Sequence, residues 1–406
     1  MNGSSMTAGR GVLLGFILFY AALFGAFGCF SPFLPAFLAE RGLRPEQLGV
    51  VLGAATVLRL VCGPIGARLA DRFHFLRAEL AACAVLGAGA ALLYLAAQGF
   101  WTIMAVSLLQ AAALAPLVPL ADALTLAHAR PRPNQQAFEY GWVRGVGSAA
   151  FVAGTLVAGQ AASSHGLSAT LWLSAAGLLV VPIAAGLVPA FPAYAASQRE
   201  QIAHRPWLTL FRQRAFVWVI VIAALILGSH AMYDSFAVIR WMQAGISPAA
   251  TAVLWSESVA AEVLVFFFLG PRLLRALSPA GALAVAAVSG VVRWGVLAET
   301  VDVVALGLVQ PLHGFTFALL HLAAMRIIAD TVPRDLAATA QAVYGLVAAG
   351  GATAVLLLLS GWLYAHFGAA GFWGMATLCV AAFPVIWLLQ RALSSISGTV
   401  VVPVEH

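Results

Sequence analysis

Lysine is absent from this chain: all 21 basic side chains are arginine, so no lysine amine is available for Schiff-base chemistry. Charge of either sign is scarce. Only 9% of the residues are charged and 62% are hydrophobic, with a mean hydropathy of +0.96. A soluble domain carries roughly 25% charged residues, so the composition excludes an ordinary water-soluble fold and defines an integral membrane protein. The net charge of +6 is modest and serves membrane orientation rather than nucleic-acid binding. Cysteine is sparse. Cys29, Cys62, Cys83 and Cys379 stand in apolar segments without metal-ligand spacing and read as small core residues. The short alternating segments of a membrane β-barrel are missing. So are H-E-x-x-H, G-x-S-x-G and a nucleotide-binding loop, and no extramembrane domain is long enough to carry a signal. An intramembrane enzyme or receptor is therefore disfavoured, and no cofactor or metal is expected.

What the chain does have is length of apolar run. Runs of ~18–25 residues, too long for core helices, are numerous. They predict an all-α polytopic protein of twelve spans: 11–39, 46–70, 76–97, 100–128, 139–162, 168–190, 213–243, 248–270, 278–297, 302–328, 335–363 and 368–391. The first run is too long for a signal-peptide core and reads as the first span. The longest polar interval, 191–214, divides the chain into a six-helix bundle at 1–190, a linker and a second bundle at 215–406. If the termini and the even-to-odd loops face the cytoplasm, 14 arginines lie on that side and three opposite, Arg41, Arg44 and Arg240. The positive-inside rule then puts both termini and the linker in the cytoplasm.

The second half repeats the first at an offset near 203. Tyr140-Gly141-Trp142-Val143 with Gly147 recurs as Tyr344-Gly345-Leu346-Val347 with Gly351, and Pro45 answers to Pro248. On those offsets Arg59 corresponds to Glu262 and Asp122 to Arg326. Parallel six-span halves with charges at matched depth are the design of major facilitator transporters. Asp122 and Arg144 flank a short basic loop, each some 7–9 Å inside its span at about 1.5 Å per residue. Ionised groups in a bilayer are costly and face a bundle interior or an aqueous cavity. The two form either a structural ion pair or part of a transport pathway.

The motifs add a resemblance. Ala67-Arg68-Leu69-Ala70-Asp71-Arg72 after the second span resembles the major facilitator loop signature, although Ala67 and His74 replace its usual glycines. The resemblance gives Asp71 and Arg72 the role of a conformational loop. Further segments resemble the phenylpropionate permease family, related to lactose permease and nucleoside–proton symporters. They are Leu43-x-Pro45-Glu46-x-x-Gly49, Gly228-Ser229-His230-Ala231-x-Tyr233, Gly290-Val291-Val292-Arg293-Trp294-Gly295 and Leu312-His313-Gly314-x-Thr316-Phe317. Pro119-Leu120-x-Asp122-Ala123 and Tyr140-Gly141-x-x-Arg144 belong with them. The resemblance implies the major facilitator fold and proton-driven import of small organic solutes, with aromatic acids such as 3-phenylpropionate as precedent. Lactose permease carries a proton-bearing glutamate three residues past its coupling histidine. Here Thr316 stands there, so the proton carrier must be elsewhere or absent.

These readings assign Arg59, Asp122, Tyr140, Arg144, Tyr233 and His313 to substrate binding. They assign His230, Glu262, Arg293 and His313 to proton coupling. Arg59 is too deep to reach the surface and its planar fork suits a carboxylate; the rival is a salt bridge to a neighbouring helix. Glu262 and His230 stand at similar depth and can hold or report a proton. Asp234, one turn after His230, reads as its structural partner. Arg293 lies near enough to the outer surface to snorkel. Trp142, Phe236 and Trp241 either stack on an aromatic solute or simply pack. The expected whole is a monomeric symporter in the bacterial inner membrane, powered by the proton gradient, with substrate, protons and lipid as its partners. Sugar or nucleoside symport and efflux remain alternatives, because direction cannot be read from these residues.

Overall fold

The computed structural model describes residues 3–73, 75–129, 138–189 and 207–398. All regular structure among them is helical. Eleven helical runs are long and apolar enough to cross a membrane. We label the first ten α1 (Gly11–Glu40), α2 (Pro45–Ala70), α3 (Leu76–Ala96), α4 (Phe100–Ala129), α5 (Tyr140–His165), α6 (Ser168–Gly186), α7 (Arg214–Gln243), α8 (Pro248–Ala276), α9 (Pro279–Glu299) and α10 (Val303–Thr331). The last run, Arg334–Ser394, has 61 residues. At about 1.5 Å per residue it would be ~90 Å long, some three times the hydrocarbon core, so it must turn back. It does so at Gly368, whose φ of 55° lies in the region glycine tolerates. The result is α11 (334–367) and α12 (Gly371–Gly398), and with them the twelve expected spans. Most of the expected 191–214 linker, with Arg130 and Arg132 of the earlier loop, falls outside the described residues.

One boundary differs from expectation. The Ala67–Arg72 signature is not loop but the last turns of a helix that runs from Pro45 to Phe73. No glycine or proline stands between Ala67 and Phe73 to stop it.

The chain forms two compact units, Met1–Gln201 with Asp234–Ser256, and Ile202–Tyr233 with Glu257–His406. Each has its own core. In the first, Phe16, Tyr20, Leu23, Leu80, Leu117, Leu124, Val143 and Leu178 pack together. In the second, Phe216, Ile222, Ile226, Leu283, Leu319, Ile327 and Leu389 do. Backbone contact between α1 and α5 organises the first unit. Gly154 lies against the backbone of Gly25, and Gly28 against Phe151. Thr155 Oγ1 donates to Gly28 O at 3.0 Å. Small residues permit this approach where burial against lipid tails supplies no drive between helices. The end of α7 and the start of α8 belong to the same unit, and Ala249 N donates to Ser163 Oγ at 3.0 Å.

From α7 onward the helices depart repeatedly from α geometry. π-helical stretches occur at Tyr233–Ala237, Val265–Leu269, Gly314–Leu319 and Tyr344–Gly351, and a 3-10 turn at Gln310–Leu312 surrounds Pro311. Such stretches cluster at functional sites because they re-aim side chains.

Candidate functional site

In the first unit α1, α4 and α5 bring Asp122 and Arg144 together. Arg144 Nη1 lies 3.6 Å from Asp122 Oδ1, an ion pair too long for a hydrogen bond. Nη1 is buried with no hydrogen-bond partner. The carboxylate is held by tyrosines instead. Tyr20 Oη donates to Oδ1 at 2.6 Å, Thr125 Oγ1 donates to Tyr20 Oη at 3.2 Å, and Tyr140 also engages Asp122. The Arg144 guanidinium sits 4.9 Å from the centre of the Phe24 ring, and Gly147 of α5 leaves room for Phe24 and Tyr20 to reach that position. Asp122 is thus fixed, whereas Arg144 is oriented by charge and a ring face and keeps donors open.

Arg59, at the middle of α2, is not in a salt bridge. Among the described residues it has neither a hydrogen bond nor an ion pair. It lines a cavity of about 270 Å³ and is exposed to it. Tyr94 of α3 and Ser107, Gln110 and Leu114 of α4 share the wall with Phe27, Phe30 and Ser31 of α1.

The second unit gathers residues from four helices. Arg293 of α9 is fully buried, not snorkelling to the surface as its distance from the loop suggested; depth along a helix says nothing of what packs beside it. Its Nη1 donates to His313 Nδ1 at 3.1 Å and its Nη2 to Gln310 Oε1 at 3.1 Å. Its guanidinium lies 4.2 Å from the Tyr233 ring centre. Gln310 Oε1 also accepts from Tyr233 Oη at 3.1 Å and Ser258 Oγ at 2.8 Å. His313 Nε2 faces Glu262 Oε2 at 3.6 Å. A guanidinium has only donors, so Nδ1 of His313 must be the acceptor and its ring proton sits on Nε2, towards Glu262.

His230 is wired in the opposite sense. Nδ1 faces the carbonyls of Ile226 and Leu227 at 3.0 and 3.2 Å, and Nε2 meets Thr316 Oγ1 at 2.9 Å. Carbonyls only accept, so the proton is on Nδ1 and Nε2 accepts from Thr316 Oγ1. His313 O, 3.2 Å from Thr316 Oγ1, is the competing acceptor for that one hydroxyl proton. Thr316 therefore stands between the ring of His230 and the backbone of His313, residues whose rings lie 5.2 Å apart. His230's bonds go elsewhere than to Asp234, the partner that four-residue spacing suggested, because the π-helical stretch from Tyr233 shifts that register.

Of the remaining expectations, Phe236 and Trp241 are fully buried packing residues, and Trp142 is exposed on the outer face. Arg326 pairs with Asp330 one turn away at 2.9 Å. Arg72 is exposed, and the side chain of Asp71 lies outside the described residues. Sequence reasoning missed Gln110, Ser258, Gln310 and the Tyr20–Thr125 pair. The lone glutamines in apolar runs were the available signal.

Twelve apolar helices with ionised groups gathered inside them define a polytopic membrane transporter. The family model described as "MFS_1 like family" matches residues 13–375, and the chain belongs to that family, within the major facilitator superfamily; it is a transporter, not an enzyme. It is 35% identical over 385 residues to the "Probable 3-phenylpropionic acid transporter" of Escherichia coli (strain K12), covering 93% of this chain and 97% of that one. A maltose permease of Geobacillus stearothermophilus is 22% identical over 386 residues, 94% and 95% of the two chains. A crystal structure of a single-residue mutant of the nucleoside transporter NupG aligns with a TM-score of 0.80 at 16% identity, over 93% and 99% of the two chains.

Proposed function

We propose that this secondary transporter is a proton-coupled importer of a small organic acid such as an aromatic carboxylate. It works by alternating access of two six-helix halves, 1–190 and 215–406, joined by 191–214. The reading places it as a monomer in the bacterial inner membrane, with both termini cytoplasmic and the proton gradient as its energy source. The observation that carries it is the chain Glu262–His313–Arg293 inside the second unit. A proton on Glu262 removes the charge opposite His313 Nε2. It thereby loosens the imidazole that accepts from Arg293, so proton binding and guanidinium position are linked through one ring. His230 supplies a second proton acceptor through Thr316. The open donors of Arg144 and Arg59 support an anionic cargo. So does the substrate in the name of the Escherichia coli relative.

Sugar or nucleoside symport is the second reading. It is favoured by the Asp122–Arg144 pair, since sugar carriers also use an arginine with a carboxylate, and by the likeness to a maltose permease. Efflux of a small molecule uses the same fold and is tested by direction. Purified protein in proteoliposomes, with an imposed pH gradient, separates the three. Uptake of aromatic acids but not of sugars or nucleosides is expected, and Glu262→Gln should abolish gradient-driven accumulation while sparing counterflow exchange, which need not release the proton. Full accumulation by the variant removes Glu262 from coupling. Sugar or nucleoside uptake in place of acid uptake establishes the second reading.

A further inference from the structure

The cavity on Arg59 carries more than that residue's own assignment. A guanidinium in the middle of a membrane span is costly unless its charge is met. Asp122 is met by Tyr20 and Tyr140, Arg293 by Gln310 and His313, and Glu262 by His313. Arg59 is met by nothing among the described residues. The cavity wall contains no aspartate or glutamate, so an anionic ligand would supply the charge that the wall lacks. Gln110 lines the same space, is 3% exposed, and its Nε2 is buried without a hydrogen-bond partner. A buried amide donor left unpaired is itself rare and costly. The neighbouring hydroxyls are already committed. Tyr94 Oη donates to Ser107 Oγ at 2.9 Å, and Ser107 Oγ donates to Ile103 O at 2.8 Å. Two unmet donors therefore remain in the cavity wall. Ser31 adds one more hydroxyl to the wall, and the remainder is apolar, chiefly Phe27, Phe30, Leu34, Leu52, Leu114 and Val118.

We propose that this cavity between α1, α2, α3 and α4 is a carboxylate subsite. In it Arg59 binds the carboxylate, Gln110 donates a further hydrogen bond that orients it, and Phe27 and Phe30 cover the ligand's apolar body. The inference rests on the organic-acid reading above. At about 270 Å³ the space falls near the low end of the roughly 300–1,000 Å³ of small-molecule pockets. That suits one carboxylate on a single ring and not a disaccharide. Gln110 is then a specificity-determining residue that selects an anion over the matching alcohol.

The test is equilibrium binding of 3-phenylpropanoate and of 3-phenylpropan-1-ol to purified protein in detergent, followed by tryptophan fluorescence, together with proteoliposome uptake of the acid. Wild type should bind the acid and not the alcohol. Arg59→Lys, which keeps the charge but loses the planar fork, should weaken acid binding by roughly tenfold or more. Gln110→Leu should weaken it several-fold and narrow the preference over the alcohol. Because that variant removes an unsatisfied buried donor, its melting temperature should hold or rise, whereas a merely structural glutamine would lower the melting temperature and leave affinity alone. Acid uptake by wild type with unchanged affinity in both variants overturns the subsite and leaves the organic-acid reading standing. No acid uptake or binding by wild type overturns both.

Discussion

At position 144 the structural and the transport readings of the Asp122–Arg144 pair give different outcomes for one substitution. The carboxylate is already held by Tyr20 and Tyr140, and the guanidinium stands 3.6 Å off with Nη1 unpartnered. Lysine would keep that loose ion pair and lose only the two-donor fork. Arg144→Lys should therefore stay folded, judged by melting temperature and monodispersity, while substrate affinity falls by about 1.5–3 kcal/mol if one charge-assisted hydrogen bond is lost. Wild-type affinity in the folded variant returns Arg144 to a structural role. The sequence exposed this pair because charge in an apolar run is conspicuous. It did not expose Gln110 or Gln310, whose amides are uncharged and gain meaning only from the donors and acceptors that other helices bring near them. Rotational position was equally hidden. Arg293 is at the depth expected, but α9 turns it into packed protein, where Tyr233, Gln310 and His313 surround it.

Helices themselves were the most legible level. Hydropathy placed each apolar run within a few residues, since burial of about 20 apolar residues leaves little freedom in where a span begins. The π-helical stretches were not legible, because a widened turn is stable only when neighbouring helices accommodate it. Those stretches carry Tyr233 and Thr316 and border His313, so the polar cluster around Arg293 could be named residue by residue but not assembled in advance. Close packing of α1 on α5 was likewise visible only as glycine content. Of those glycines, Gly154 faces backbone and Gly89 of α3 faces open space. Gly154→Leu should be destabilising by about 1–3 kcal/mol or more through overpacking against Gly25. Gly89→Ala should be neutral or stabilising by up to ~1 kcal/mol through helix propensity. Thermal unfolding in detergent distinguishes them. Equal melting temperatures for the two variants would mean that the α1–α5 contact adjusts at no cost.

For the whole molecule the expected orientation in the bilayer rests on the arginine distribution, and under the proposed coupling it sets which side supplies the proton. Fourteen arginines on one side against three on the other make the bias strong, and no lysine complicates it. In the twelve-span reading successive helices alternate direction, so one helix of known ends is enough to test the assignment. α9 serves: its 21 residues, Pro279–Glu299, span ~31 Å and match the hydrocarbon core, leaving the residues on either side in opposite compartments. Single cysteines at Ala276 and Val301, with a third at Ser197 in the linker, can be probed in intact cells with a membrane-impermeant maleimide. Of the native thiols, Cys29 and Cys379 are buried and the other two can be replaced by serine. Val301→Cys should label from outside, whereas Ala276→Cys and Ser197→Cys should label only after the membrane is opened. The inverse pattern would place both termini outside and reverse the side from which the proposed proton on Glu262 arrives. Labelling of both Ala276→Cys and Val301→Cys from the same side would mean that α9 does not cross, which the twelve-span reading cannot accommodate.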